Sequence, residues 1–394
     1  MKFSKLLYIL GASAMILGSA ACSEEKLDPN SIFGDVNDEL NKDAYTYKFD
    51  KWLEREYRLK YNLDFRYRME DVGSNLDYNL VPASYQDALD LAILSKYLWF
   101  DVYAKMAGDP EFLQKYGPRI IHVIGSPAFN PTFGTMVLGT AEGGIKITLY
   151  RVNYLDPTSP EQLNNYYFKT MHHEFGHILH QQKFYPNEFR LVSKDYEADT
   201  WQDKNFAQSL TMGHFSPYST SGISEDWVEC IANYIVRSDE WLEKAYWIAE
   251  HDWYEEDASS GKKISHAYYY YKTDADQRND GVDGNNTKTY FVTIDGSKGD
   301  TEDFNIEGYN ELIVNDDGTY THRSSRRPAY RVGGDGELDG VKGHEILEHK
   351  LNMVRTWFKE KWDIDFDGLR AEVQERQKHI DIDALRAQIE NIEE

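Results

Sequence analysis

The chain has 394 residues, 41% of them hydrophobic, with 9 Trp, 29 Tyr and 18 Phe, which is enough apolar material for a folded core and too much for a disordered chain. A formal net charge of −24 excludes nucleic-acid binding, which rests on Lys and Arg neutralising phosphates. The only two cysteines are Cys22 and Cys230, so no disulfide framework is expected, and Cys230 reads as a buried thiol.

The N-terminus carries Lys2 and Lys5, an apolar stretch over residues 6–17, then Gly18-Ser19-Ala20-Ala21 before Cys22. That is a signal-peptide layout over residues 1–21, too short for a membrane span. A cysteine directly after small residues resembles the processing site of bacterial lipoproteins, with Ser19 standing where such sites usually carry Leu. Cys22 is thus the expected lipidated residue, and the lipid would be the chain's one link to a membrane. Ser23-Glu24-Glu25 resembles the acidic surface-export signal of Bacteroidota lipoproteins, which implies an outer-membrane lipoprotein facing outward, with the periplasmic face as the alternative. Residues 22–42 are polar, acidic and hold Pro29, and read as a tether.

A catalytic core is expected over residues 43–254. Residues 85–107 place Ala88, Leu91, Ile93, Tyr97, Leu98 and Val102 at helical spacing, with Gly108-Asp109-Pro110 as the stop. Three β-rich runs follow, 119–124, 135–139 and 144–152, the last two joined as a hairpin would be. Ser159-Pro160-Glu161-Gln162 predicts a helix start, with Ser159 as N-cap and Gln162 closing a capping box, and the helix runs to about residue 182. A second helix begins after Ser224. Residues 255–340, rich in Asp, Gly, Asn and Tyr, read as an irregular or β-hairpin insertion, and the run Tyr268 to Tyr271 as a half-buried strand. From 341 to 394 the helical pattern returns, with Leu347, Leu351, Val354 and Phe358 on one stripe and a charged helix from about residue 367.

The chemistry lies in His173-Glu174-Phe175-Gly176-His177. On a helix the two histidines are one turn apart on one face, so both imidazoles can reach one tetrahedral ion, with Glu174 beside them to take a proton from water. Met171, Phe175, Ile178 and Leu179 give the helix an apolar back. Gly176 costs roughly 1 kcal/mol of helix propensity against Ala, which points to close packing there. A catalytic zinc takes three protein ligands. Candidates for the third are His180, His214, Asp195, Glu197, Asp199, Glu225 and Glu229. Three histidines along one straight helix span about 10 Å and cannot all converge, so His180 is read as a neighbour of the site. A glutamate of the next helix fits better. Glu225 and Glu229 are one turn apart, so one can bind the metal while the other accepts the free N–H of a ligand histidine. The alternative is an acidic first turn complementing the helix dipole. His344 and His349 are five apart, match no such motif and read as helix surface.

His173-Glu174-Phe175-Gly176-His177, then Tyr218, then Glu225-Asp226-Trp227-Val228-Glu229 resembles the catalytic domain of anthrax lethal factor, a gluzincin-like zinc protease. By that resemblance Glu225 is the third zinc ligand, Glu229 the partner of a ligand histidine, and Tyr218 steadies the oxyanion. With its lipoprotein start, the chain more closely resembles the zinc-binding metallopeptidase lipoproteins of Bacteroidota linked to TonB-dependent import, over most of residues 1–385, including Trp362-Asp363-Ile364-Asp365-Phe366-Asp367. This implies Zn2+ as cofactor, a peptide or protein substrate and importer components as partners. The insertion at 255–340 is longer than such a domain is expected to carry. The expected fold is an α+β zincin: an active-site helix under a small mixed, mostly antiparallel sheet, with a helical C-terminal part. One rival reading keeps the metal but takes a non-peptide amide or ester; another is a non-catalytic zinc-containing binding lipoprotein of the importer.

Overall fold

The computed structural model describes residues 40–69, 79–109, 111–129, 136–137, 139–142, 145–193, 196–204, 206–249, 252–255, 266–272, 287–294, 304–314, 320–324 and 343–392. The expected signal segment, Cys22 and all of the expected tether before residue 40 lie outside them. The chain divides into two units, Met1–Tyr47 and Lys48–Glu394, and apart from Tyr47, the first residue of the first helix, all that follows lies in the second. Among the described residues, no helix is long and apolar enough to cross a membrane.

Helix α1 (residues 47–61) buries Phe49, Trp52, Tyr57 and Tyr61 and passes through a π turn at Glu54–Arg58. It stops at Asn62, whose φ of 54° is one of the few left-handed positions a non-glycine residue takes readily. Strand β1 (Asp64–Arg66) leads into α2 (residues 85–107). The α2 bounds are as expected: the Ser84 hydroxyl accepts from the Asp87 amide, and Gly108 at φ 61° ends the helix, while Pro110 lies outside the described residues. A short α3 (Phe112–Tyr116) precedes β2 (Ile120–Val123), and β3 (Ala128–Phe129), β4 (Met136–Val137), β5 (Gly139–Glu142) and β6 (Lys146–Leu149) follow.

Strands β1, β2, β6 and β5 form one sheet in that order. The sheet is mixed, as expected, and β5 pairs with β6 as an antiparallel hairpin, but β5 takes up residues that were expected to form the link between the runs 135–139 and 144–152. Its centre differs: β1 with β2 and β2 with β6 pair in parallel. The reason is topological. Helices α2 and α3 intervene between β1 and β2, so the chain returns to the same end before pairing. The run at 135–139 also splits, with β4 pairing to β3 instead of extending β5.

Helix α4 (residues 160–182) opens on Ser159, whose hydroxyl accepts from the Gln162 amide at 3.2 Å. The capping box is only half made. Gln162 Oε1 accepts from the Asp156 amide, three residues before the cap. The inner face of α4 buries Met171, Phe175, Ile178 and Leu179, with the Phe175 ring 4.9 Å from both Trp99 and Tyr103. Edge strand β5 lies against α4 at Gly139, where a Cβ would come 2.5 Å from the Thr170 methyl.

Helices α5 (Phe206–Thr211), α6 (Ile223–Val236) and α7 (Asp239–Ala249) complete the first helical layer. Where α4 crosses α6, a Cβ on Gly176 would meet Val228 Cγ1 at 2.9 Å and Ile231 Cδ1 at 3.4 Å. This is the close packing the motif glycine suggested. Gly176→Ala is therefore expected to destabilise the apoprotein: overpacking costs about 1–3 kcal/mol, more than the roughly 1 kcal/mol of helix propensity gained. Urea unfolding of the two chains measures it, and equal midpoints would mean the crossing can widen freely.

Five strands, β7 (Asp252–Glu255), β8 (His266–Lys272), β9 (Thr287–Ile294), β10 (Phe304–Val314) and β11 (Tyr320–Ser324), pair antiparallel in chain order, with a bulge between Ile306 and Gly308. Of the two readings of this section, irregular or β-hairpin, the described residues follow the second, and Tyr268–Tyr271 lie in β8; its Asp-Gly steps at 280–284 and 295–296 lie outside the described residues. Helix α8 (Gly343–Trp362) buries Leu347, Leu351, Val354 and Phe358 as expected, and the charged tail forms α9 (Phe366–Lys378) and α10 (Ile382–Glu390). Arg370 and Gln374 of α9 donate to the carbonyls of Tyr234, Ile235 and Arg237, satisfying the otherwise unpaired C-terminal end of α6.

Candidate metal centre

The crossing of α4 and α6 brings three donors together. His173 Nε2 and His177 Nε2 each lie 3.2 Å from Glu225 Oε2. Tetrahedral zinc with bonds of about 2.0–2.1 Å holds its ligand atoms roughly 3.3 Å apart, so the set already stands near coordination spacing. Among the described residues, this is the one group of three or more His, Cys, Asp or Glu placed to share an ion. Two imidazole nitrogens and one carboxylate oxygen are donors that suit zinc.

The two histidines are oriented from behind. His173 Nδ1 lies 2.8 Å from Glu229 Oε1, and the other oxygen of Glu229 accepts from Ser216 Oγ at 2.5 Å, Asn233 Nδ2 at 2.9 Å and Lys169 Nζ at 3.1 Å. Burial opposes the charge on Glu229, but Lys169 and the His173 bond outweigh it and hold the carboxyl well below its usual range. Glu225 behaves alike: burial opposes its charge, and the bonds from His173 and His177 prevail. Burial likewise disfavours protonated His173, yet Glu225 and Glu229 raise it to about 10. The site demands positive charge between its two carboxylates.

Glu174 is half-buried beside the donors. Burial raises its carboxyl above the ordinary value, against the lowering effect of His173 and His177. A carboxyl shifted upward is better matched to proton transfer near neutral pH. Tyr218 lies on a 3-10 turn, Tyr218–Ser221, with its ring 5.9 Å from that of His173 and 4.9 Å from Trp201. Burial, then the negative charges of Glu225, Glu229 and Glu174, push its phenol up, so it stays a donor.

The remaining third-ligand candidates stand apart. His214 Nδ1 is 3.1 Å from Asp226 Oδ1, exposed Glu197 binds Lys204 and Thr200, Asp199 is exposed, and Asp195 lies outside the described residues. His180 Nε2 faces His177 Nδ1 at 3.0 Å, on the side away from the converging atoms. Sequence reasoning missed Lys169 and Asn233, although each is four residues from a site residue, His173 and Glu229, on its own helix. It also missed a buried network around Asp226, the residue next to Glu225. Asp226, wholly buried, binds His214, Tyr196 OH at 2.8 Å and Lys350 Nζ at 2.7 Å, and Lys350 also donates to the Gly213 carbonyl. No local pattern links Lys350 to Asp226.

A family model described as "Putative zinc-binding metallo-peptidase" matches residues 42–266. The chain belongs to that family. A solved structure from Bacteroides caccae, described in the same words, is similar to it at 28% identity and a TM-score of 0.56, covering 85% of this chain and 95% of that one. Comparison with curated proteins gives no match. The span matched to the metallo-peptidase family contains His173, Glu174, His177, Tyr218, Glu225 and Glu229 and ends within β8. Helices α8 to α10 lie beyond it, yet Lys350 of α8 binds Asp226, the residue next to Glu225.

Proposed function

We propose that this chain is a zinc-dependent peptidase in which His173, His177 and Glu225 hold the metal. The carrying observation is the meeting of two Nε2 atoms and one Oε2 at 3.2 Å beside a half-buried glutamate that is not one of the three donors. A bound zinc ion supplies Lewis acidity, polarising a carbonyl and lowering the pKa of water toward neutrality. Glu174 takes the proton of the attacking water and passes it to the leaving amine. Tyr218, held as a neutral phenol at the rim, donates to the developing oxyanion. Glu229 fixes His173 with its Nδ1 protonated and its Nε2 free to ligate. Placement of Glu174 favours this reading over a purely structural site, which needs no proton acceptor.

On the N-terminal pattern alone, we further propose export, lipidation at Cys22 and an outer-membrane location beside a TonB-dependent importer. The test of the core reading is zinc content in residues 23–394. One zinc per chain is expected in the wild type, lost in Glu225→Ala, with chelator-sensitive peptide cleavage. A wild-type chain that takes up no zinc on reconstitution would sink the enzyme reading.

A further inference from the structure

We propose that His180 is a positioning residue for the metal centre: its Nε2 accepts the Nδ1–H of His177 and fixes the tautomer that leaves the His177 Nε2 lone pair for the metal. This rests on the zinc reading above. His177 Nε2 points to Glu225 Oε2 at 3.2 Å, and His177 Nδ1 lies 3.0 Å from His180 Nε2. A neutral imidazole carries one N–H, and a ligating nitrogen carries none. The proton of a metal-bound His177 therefore sits on Nδ1, and the atom it faces must accept. That requirement places the His180 proton on its own Nδ1.

The His180 ring is held for this task. It is 8% exposed and meets the Tyr185 ring edge-on at 5.3 Å; Tyr185 in turn stacks on Trp227 at 5.2 Å, two residues after Glu225 on α6. The last turns of α4 are thus clamped to the helix that carries the third ligand. The two ligand histidines also differ in kind. His173 donates to a carboxylate, which strengthens its basicity, whereas His177 donates to an uncharged ring. The centre carries one negative charge fewer than two carboxylate partners would give, leaving the bound ion more electron-poor.

The experiment is zinc affinity by competition with a chromophoric chelator, together with the visible spectrum of the cobalt-substituted protein, on the wild type, His180→Gln and His180→Phe. Gln can present its Oε1 where the His Nε2 stood; Phe fills the space without an acceptor. Expected is an affinity loss of about 10–100-fold in His180→Phe, near-wild-type affinity and spectrum in His180→Gln, and one zinc per chain in both at excess metal. Equal affinity in all three chains overturns the proposal. If His180→Phe does not fold, nitrogen NMR of the zinc-loaded wild type decides: His180 protonated on Nδ1 supports the assignment, and His180 protonated on Nε2 overturns it. Failure of the zinc reading is separate, since there the wild type itself binds no metal.

Discussion

Glu174→Gln is expected to keep one zinc per chain and to lose about 10²–10⁴-fold in kcat/KM for peptide hydrolysis. The amide has the shape of the carboxylate but cannot take a proton, and Glu174 is not one of the three converging donors. The loss therefore isolates proton transfer from metal binding, and corresponds to about 3–5 kcal/mol of transition-state stabilisation. Zinc content by atomic absorption and hydrolysis of a peptide library, measured on the same sample, separate the two. A Gln variant that cleaves at the wild-type rate removes Glu174 from the mechanism; one that loses its zinc reassigns it to the coordination sphere.

Lys350→Met is expected to destabilise the fold by about 3–5 kcal/mol, because it leaves Asp226 as a buried charge without its cation. Asp226 and Lys350 are both fully buried, with Nζ 2.7 Å from Oδ2. Burial alone would push the Asp226 carboxyl up, but Lys350 first and then His214 bring it below its ordinary value of 3.8. A carboxyl with a lowered folded-state pKa contributes stability that is present above the unfolded value and is lost as pH falls toward the folded one. The difference between wild type and Lys350→Met should thus be larger at pH 7 than at pH 3.5, because acid protonates the uncompensated Asp226 of the variant before that of the wild type. Urea unfolding of both chains at pH 7 and pH 3.5 checks this. A gap that stays constant would mean that lost packing of the lysine stem, and not its charge, sets the cost.

What could be read from the sequence was local. Ser159 and Gly108 bracket helices through contacts within a few residues, and His173 and His177 share a face because helix geometry alone puts them there. The residues alone left Glu225 as one of two carboxylates on a neighbouring helix, and only the resemblance chose it; a choice from the residues needs the angle of the crossing, which Gly176 permits against Val228. The parallel centre of the sheet was hidden because a strand's own pattern does not record its partner's direction. Gln162 matched the capping pattern, yet its side chain found the Asp156 amide, a competition that spacing does not decide. The Asp226 network was invisible for a plainer reason: Lys350 and His214 are 136 residues apart.

That separation has a consequence for the order of assembly. At a synthesis rate of about 5–20 residues per second, a chain that has just produced His214 waits roughly 7–27 s for Lys350. Throughout that interval the helix carrying Glu225 lacks both the cation behind Asp226 and the α9 side chains that close its far end. The whole β7–β11 meander is made in between. The helix carrying Glu225 therefore depends on a late, long-range closure, which forms only once Lys350 and the α9 side chains have been made.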